Sequence, residues 1–143
     1  MNNTQKQLIV AMGHELIKRK LVAGSWGNIS LRQGEEIAIT PSGHGYADMQ
    51  PEDIVILDQQ GRVLEGKHVP SSESALHLAV YAACPEAGAI IHTHSIYASA
   101  LAAMRKPVPA LIEDSSKSVE EGLTALPTPS VAHRNWPRNA SKP

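Results

Sequence analysis

The sequence has no phenylalanine and a single cysteine among its 143 residues. Aromatic residues make up only 3% of the chain, so a buried core must be built from Ile, Leu, Val and Ala. The lone Cys84 excludes an internal disulfide and is typical of a protein in a reducing cytoplasm. Because Cys84 falls late in a helical pattern, we expect it to be a buried packing residue.

The sequence also lacks a large excess of either charge and any long hydrophobic run. Its formal net charge of −1 argues against a nucleic-acid or membrane-surface partner. No apolar run approaches the length of a membrane span, and the polar start Met1-Asn2-Asn3-Thr4 predicts no secretory signal. We therefore expect one compact cytoplasmic domain without nucleic-acid or membrane partners.

Hydrophobic periodicity predicts alternating helices and strands. Helical spacing of apolar residues extends from about Thr4 to Leu21, and a second helical pattern follows Ser72. Alternating segments predict strands at residues 29–32, 36–40, 54–57, 62–64 and 89–94. A last short helix is predicted from Ile96 to Met104. This order of elements predicts an α/β fold with helices packed on a sheet.

The stretch from Pro70 to Ala102 carries the strongest functional signal. Glu73 lies at the start of the second predicted helix, and His92 and His94 end the last predicted strand. Residues i and i+2 of a strand share a face, so both imidazoles can bind one metal ion such as zinc (Zn2+). A catalytic zinc normally has three protein ligands and an open position, so one ligand is missing from this stretch.

Two hydroxyls beside Glu73 favour an anion. Ser71 and Ser72 occupy the expected N-cap of the helix, where free N–H groups attract a phosphate. Each feature has a simpler structural explanation, because Ser is a common cap, Glu complements the helix dipole, and an isolated His pair is more often solvated. Found together, they favour metal-assisted chemistry on a phosphorylated carbonyl compound.

These motifs resemble the class II aldolase/adducin family, and most of all its L-fuculose-1-phosphate aldolase branch. The resemblance rests on PSSE at 70–73, HLAVY at 77–81 and the run from Pro85 to His94. It extends from the first helix to about Glu113-Asp114. It implies a three-layer α/β/α fold with a mixed central sheet, and a zinc-dependent enzyme that assembles as a homotetramer.

The resemblance also implies a role for each matching residue. His92, His94 and Glu73 are implied metal ligands, and Glu73 is the implied base that removes the proton next to the substrate carbonyl. The phosphate of a small sugar phosphate is expected to bind Gly27, Asn28, Ser42, Gly43, Ser71 and Ser72.

The remaining histidines have weaker assignments. His77, one turn after Glu73, either supports the site or packs in the core, and packing is the more common role. His44 and His68 are predicted to be exposed loop residues. His133 is a poor candidate for the missing ligand because its neighbours do not form a strand pattern.

The pattern changes after Asp114. We assign residues 1–114 to the N-terminal portion of a class II aldolase domain and 115–143 to an irregular, Pro-rich tail, with the C-terminal part of the domain missing. The codons of Asn135-Trp136-Pro137, read one base earlier, allow Glu-Leu-Ala, which resembles a later helix start of the family. This predicts a shifted reading frame between about Ala110 and Pro127, which sequencing of the coding DNA tests.

Four functional hypotheses remain open. The first is an aldolase that cleaves a ketose 1-phosphate, such as L-fuculose 1-phosphate, to dihydroxyacetone phosphate and an aldehyde. The second is a pentulose-phosphate 4-epimerase, decarboxylase or dehydratase of the same family; the epimerases usually carry Asp where this chain has Glu73, which favours the aldolase. The third is a non-catalytic adducin-like module, which has no need of His92 and His94. The fourth is an inactive fragment with half of a site.

Overall fold

The computed structural model describes residues 2–105. In chain order these residues form α1 (Asn3–Lys18), β1 (Asn28–Gln33), β2 (Glu36–Ile39), β3 (Val55–Leu57), β4 (Val63–Glu65), α2 (Ser74–Ala83), β5 (Ala89–His92) and α3 (Ile96–Ala103), with a 3-10 turn at Pro51–Asp53 before β3. Everything up to Ser95 belongs to one compact unit, and α3 belongs to a second. The predicted tail at 115–143 lies outside the described residues.

The strands form one five-stranded sheet in the order β4-β3-β2-β1-β5. Each neighbouring pair is antiparallel. In the β1–β5 pair, Asn28 lies opposite His92, so the start of β1 is beside the end of β5. The α/β class is confirmed. A mixed sheet needs a parallel pair, and every strand pair within residues 2–105 is antiparallel, so the described sheet is antiparallel rather than mixed.

Side chains of the sheet alternate between two hydrophobic cores, one on each face. The core on the first face joins α1 to the sheet through Ile9, Leu16, Ile29, Ala38 and Ile56. The core on the second face joins α2 to the sheet through Ile37, Ile39, Val55, Leu57 and Tyr81. This is the predicted α/β/α layering with a largely aliphatic core. Burial of each large aliphatic side chain contributes about 1.5–3 kcal/mol.

The boundaries of α1 follow from local hydrogen bonds. Asn2 caps the helix through a reciprocal pair, in which its side chain accepts from the Gln5 backbone N–H and the Gln5 side chain accepts from the Asn2 N–H. The helix ends at Lys18 rather than at the predicted Leu21, and Lys20 then adopts a left-handed φ of 56°. Cys84, predicted to be buried, is only half-buried. Within residues 2–105, no helix is both long and apolar enough to cross a membrane.

Candidate active site

A shallow cavity of about 190 Å³ lies at the end of the sheet where β1 begins, β2 ends and α2 begins. Four segments form its wall: the loop into β1, the turn after β2, the segment before α2, and the segment after β5. Its lining comprises Ser25, Trp26, Gly27, Asn28, Pro41, Ser42, Gly43, Ser71, Ser72, Glu73 and His94. All six residues expected to bind phosphate are therefore brought together, along with Glu73 and His94.

Backbone hydrogen bonds hold two of these loops side by side. The Ser71 N–H donates to the Thr40 carbonyl at 3.1 Å, and the Ser42 N–H donates to the Val69 carbonyl at 2.9 Å. Pro41 and Pro70 form an isolated antiparallel bridge between these two bonds. The hydroxyls of Ser42 and Ser71 thus reach the same cavity although the residues are distant in sequence.

Gly27 is required by the close approach of β1 to β5. Its φ is +83°, a left-handed conformation that L side chains rarely adopt, and a Cβ here would lie 2.5 Å from the His92 carbonyl oxygen. Any side chain at position 27 would therefore push the backbone of His92 away. Gly27 thus permits the close approach of the His92 backbone, besides lining the cavity.

The start of α2 differs from the sequence prediction. Glu73 itself is the N-cap residue, and its side chain does not cap the helix. Ser71 lies in the turn before the helix, where its Oγ accepts a hydrogen bond from the Glu73 N–H at 3.3 Å, and Ser72 is exposed. The prediction that Ser71 and Ser72 form the N-cap is therefore wrong, because the helix begins later. Both still border the cavity.

Two histidines converge on Glu73 from the end of β5. Glu73 Oε2 lies 2.9 Å from His92 Nδ1 and 3.9 Å from His94 Nε2. The two imidazole rings have centroids 4.9 Å apart. His94 lies beyond the strand, which ends at His92, so the predicted strand end is wrong but the convergence of the two rings is retained. The potential ligand atoms of all three residues lie within 4.8 Å of one another.

This group fits a divalent metal by its chemistry. His92 Nδ1 is buried and close to the carboxylate, but the contact is not aligned as a hydrogen bond and the nitrogen has no hydrogen-bond partner. A buried ring nitrogen without a partner is destabilising unless something else binds it. Two imidazoles and one carboxylate form a donor set that zinc accepts.

The charge state of Glu73 reflects opposing effects. Burial raises the pKa of Glu73, but the hydrogen bond from Asn28 and the neighbouring imidazoles of His92 and His94 lower it, and the pKa ends below its ordinary value. Glu73 is therefore ionised at neutral pH, as both a metal ligand and a proton acceptor must be.

A chain of buried hydrogen bonds supports Glu73 from beneath. Asn28 Nδ2 donates to Glu73 Oε2 at 2.5 Å, and Asn28 Oδ1 lies 2.5 Å from His77 Nε2. His77 Nδ1 lies 2.7 Å from Ser30 Oγ, which lies 2.8 Å from the Tyr81 hydroxyl. His77 and Ser30 are fully buried. This series of hydrogen bonds extends from the cavity into the interface between the sheet and α2.

The direction of each bond follows from the carboxylate. Ionised Glu73 can only accept, so the amide nitrogen of Asn28 must face it and the amide oxygen must face His77. His77 therefore carries its proton on Nε2, and Nδ1 accepts from the Ser30 hydroxyl. Burial lowers the pKa of His77 to about 4, with a smaller contribution from His92, so the ring is neutral at pH 7.

Sequence reasoning left the role of His77 open and did not identify Ser30 and Tyr81. The signal was present in HLAVY, where His77 and Tyr81 are one helical turn apart on one face. On the sheet, the corresponding signal was Ser30, a polar residue at a buried strand position. His44 and His68, both predicted to be exposed, are half-buried, and each has Nε2 within 4 Å of an Asp53 carboxylate oxygen.

Comparison with known proteins identifies the class. The chain belongs to the family described as Class II Aldolase and Adducin N-terminal domain, whose family model matches residues 7–133. The resemblance found in the motifs is thus confirmed.

Individual relatives agree on the family but not on one reaction. The chain is 41% identical over 109 residues to a 5-deoxy-D-ribulose 1-phosphate aldolase of Bacillus thuringiensis serovar kurstaki, covering 75% of this chain and 51% of the relative. It is 40% identical over 108 residues to L-ribulose-5-phosphate 4-epimerase UlaF of Salmonella paratyphi B, covering 74% and 47%. The chain spans about half the length of these curated relatives.

A solved structure gives the same picture of the fold. An L-fuculose 1-phosphate aldolase superposes with a TM-score of 0.73 at 38% identity, covering 77% of this chain and 53% of that one. The class II aldolase-like architecture predicted for the chain is therefore confirmed.

Proposed function

We propose that this chain carries the phosphate-binding and proton-transfer half of a metal-dependent sugar-phosphate aldolase. The observation that supports this most strongly is the position of Glu73. Its carboxylate is held by Asn28, faces His92 and His94, and borders a cavity lined by serine hydroxyls. The residues proposed as proton acceptor, metal ligands and phosphate-binding wall are therefore neighbours, which supports the proposal.

The cavity suits the phosphate end of the substrate. Its wall offers the hydroxyls of Ser42, Ser71 and Ser72 and the N-terminal end of α2, whose dipole favours a negative charge. A volume of 190 Å³ is smaller than the roughly 300–1,000 Å³ of a typical small-molecule site. We infer that the phosphate binds among the serines and that the carbon chain extends past Glu73.

Zinc would be held by His92, His94 and Glu73, and when bound it would supply a Lewis acid for the substrate carbonyl. Glu73 takes the proton from the carbon next to that carbonyl in the direction of carbon–carbon bond formation, and returns it in cleavage. Asn28 keeps the carboxylate oriented, and the serines hold the phosphate so that the reacting carbon stays within reach.

A 4-epimerase is the second candidate. UlaF is 40% identical over nearly the same share of the chain as the aldolase relative, so overall similarity does not separate the two reactions. Products do separate them: an aldolase releases dihydroxyacetone phosphate from a ketose 1-phosphate, whereas an epimerase converts L-ribulose 5-phosphate without cleaving it.

The proposal is tested with the full chain, zinc chloride and three substrates: L-fuculose 1-phosphate, 5-deoxy-D-ribulose 1-phosphate and L-ribulose 5-phosphate. We expect aldol cleavage that Glu73→Gln lowers by at least about 100-fold, because the amide cannot accept the proton. The exposed Glu35→Gln is the matched control and should leave the rate unchanged. Equal rates for Glu73→Gln and the unaltered chain would contradict the role of Glu73.

A binding measurement covers the case in which the chain binds substrate but does not turn it over. Calorimetry should show that dihydroxyacetone phosphate binds at least tenfold more tightly than dihydroxyacetone, and that Ser71→Ala removes most of this difference. Equal affinities for the two compounds would reject the phosphate site.

A further inference from the structure

A second group of potential metal ligands lies on a different set of loops. His44 follows the turn after β2, Asp53 ends the 3-10 turn before β3, and His68 lies in the loop before α2. Their ligand atoms all lie within 4.8 Å of one another. We propose that His44, Asp53 and His68 bind a divalent transition metal, with Zn2+ the best match, as a clamp that joins the three loops.

The geometry already directs both histidines at one carboxylate. His68 Nε2 lies 3.0 Å from Asp53 Oδ1, and His44 Nε2 lies 3.8 Å from Asp53 Oδ2. The two rings are 4.7 Å apart between centroids and tilted by 56°. Shifts of about an ångström would therefore bring both Nε2 atoms and one carboxylate oxygen to zinc-ligand distances of about 2.0–2.2 Å.

The carboxylate is the fixed part of this group. Asp53 is 93% shielded from solvent, and its Oδ2 accepts a hydrogen bond from the Gln50 backbone N–H at 2.9 Å. Such a bond from the surrounding backbone orients a metal-binding carboxylate and is a usual feature of metal sites. His44 and His68 are less buried and can adjust toward a metal.

Lys67 provides the competing explanation. Its Nζ lies 3.2 Å from Asp53 Oδ1 and can neutralise the carboxylate when no metal is bound. The Lys67 side chain is 64% exposed, so it can move into solvent when a metal takes its place. If the group binds zinc, removing the Lys67 charge must tighten binding, because the competing cation is lost. If the group is only a set of ion pairs, removing Lys67 creates no site.

A filled clamp would act on the cavity of the first site. His44 directly follows Gly43, and His68 lies in the segment that leads to Ser71. The metal would therefore tie together the two loops that supply serines to the cavity, in addition to the backbone bonds between Ser42 and Val69 and between Ser71 and Thr40. The ligand set of imidazoles and one carboxylate favours zinc over magnesium or calcium, which prefer oxygen ligands.

The test is zinc stoichiometry of the full chain after equilibrium dialysis against zinc chloride, measured by elemental analysis. We expect two zinc ions per chain, one in His44→Ala/His68→Ala, one in His92→Ala/His94→Ala, and none when all four are replaced. His14→Ala, at an exposed position of α1, is the control and should retain two. Because the His92→Ala/His94→Ala chain reports on the second group alone, failure of either site is recognised separately.

Two further measurements distinguish the loss of a zinc site from misfolding of a variant. Zinc should raise the Tm of the His92→Ala/His94→Ala chain by several degrees, as expected for a ligand that binds only the folded state, and should not raise the Tm of the fourfold variant. Lys67→Met keeps the aliphatic part of the side chain but removes its charge. When added to the His92→Ala/His94→Ala chain, it should tighten zinc binding at least fivefold. Absence of zinc from the folded His92→Ala/His94→Ala chain, or two zinc ions retained by His44→Ala/His68→Ala, would overturn the proposal.

Discussion

At the scale of single residues, the neutral His77 ring links the chemistry of the cavity to the core. Its two ring nitrogens each contact a different partner, Asn28 Oδ1 on the cavity side and Ser30 Oγ on the core side. A side chain that packs equally well but cannot donate from this position would leave the Asn28 amide free to rotate. The carboxylate of Glu73 would then lose its orientation, although His77 touches neither substrate nor metal.

We predict that His77→Leu lowers the free energy of unfolding by about 1–3 kcal/mol, because buried Asn28 and Ser30 lose a partner. If His77 has only a structural role, this loss of stability should be the only effect of the substitution. If His77 also positions Glu73, zinc affinity at Glu73, His92 and His94 should fall at least threefold in chains that remain folded. Urea denaturation and zinc titration measure the two effects.

A second substitution at His77 distinguishes a role in orienting Glu73 from a role in packing alone. Gln at position 77 carries an amide N–H that can donate to Asn28, so His77→Gln should recover most of the zinc affinity even if stability stays reduced. The positioning role is wrong if folded His77→Leu binds zinc as well as the unaltered chain.

At the scale of elements, the β3–β4 hairpin depends on one carboxylate. Asp58 Oδ1 accepts from the backbone N–H groups of Gln60 and Arg62, each at 2.9 Å, and Oδ2 accepts from Arg62 Nε at 2.5 Å. Burial raises the pKa of Asp58, but the hydrogen bonds from Arg62 and Gln60 and the Arg62 charge lower it by more, so the net pKa is below the ordinary value. The folded state thus favours the ionised carboxylate.

This shift predicts how stability depends on pH. A carboxylate with a lowered pKa in the folded state stabilises the protein above its unfolded pKa, and the contribution is lost as pH falls through about 4 toward the folded value. We predict that Asp58→Asn is less stable than the unaltered chain at pH 7 and that the difference shrinks toward pH 3. Thermal melts across this range measure it, with the exposed Asp48→Asn as the control. A difference that grows on acidification would contradict the assignment.

Among the loops and helix ends, some features of the site could be predicted from the sequence and others could not. The Gly27-Asn28, Ser42-Gly43 and Ser71-Ser72 pairs were identified as one set through family motifs, because spacing alone does not bring distant loops together. Their convergence depends on backbone pairing such as Ser71 to Thr40, which has no local sequence signal. The N-cap of α2 was misplaced because Ser71, Ser72 and Glu73 are all plausible first residues, and the choice depends on how Ser71 pairs with Thr40.

At the scale of the whole molecule, the chain spans about half the length of the curated relatives it matches. Among the described strands β5 is an outer one, paired to β1 alone. Its Ile91 is 46% exposed. An outer strand with an exposed apolar residue is prone to pair with another chain. The homotetramer implied by the family, and the cytoplasmic location, remain predictions.

We predict that the chain self-associates through β5 in a concentration-dependent manner. Ile91→Lys should shift the equilibrium toward monomer, because a charge on an outer strand opposes pairing with a second copy. Sedimentation velocity over a hundredfold range of concentration measures the shift. Val63→Lys, at an exposed position of the opposite outer strand β4, is the matched control and should leave association unchanged if β5 is the contact. Association that persists in Ile91→Lys but disappears in Val63→Lys would assign the contact to β4 instead, and a monomer at every concentration would exclude both edges.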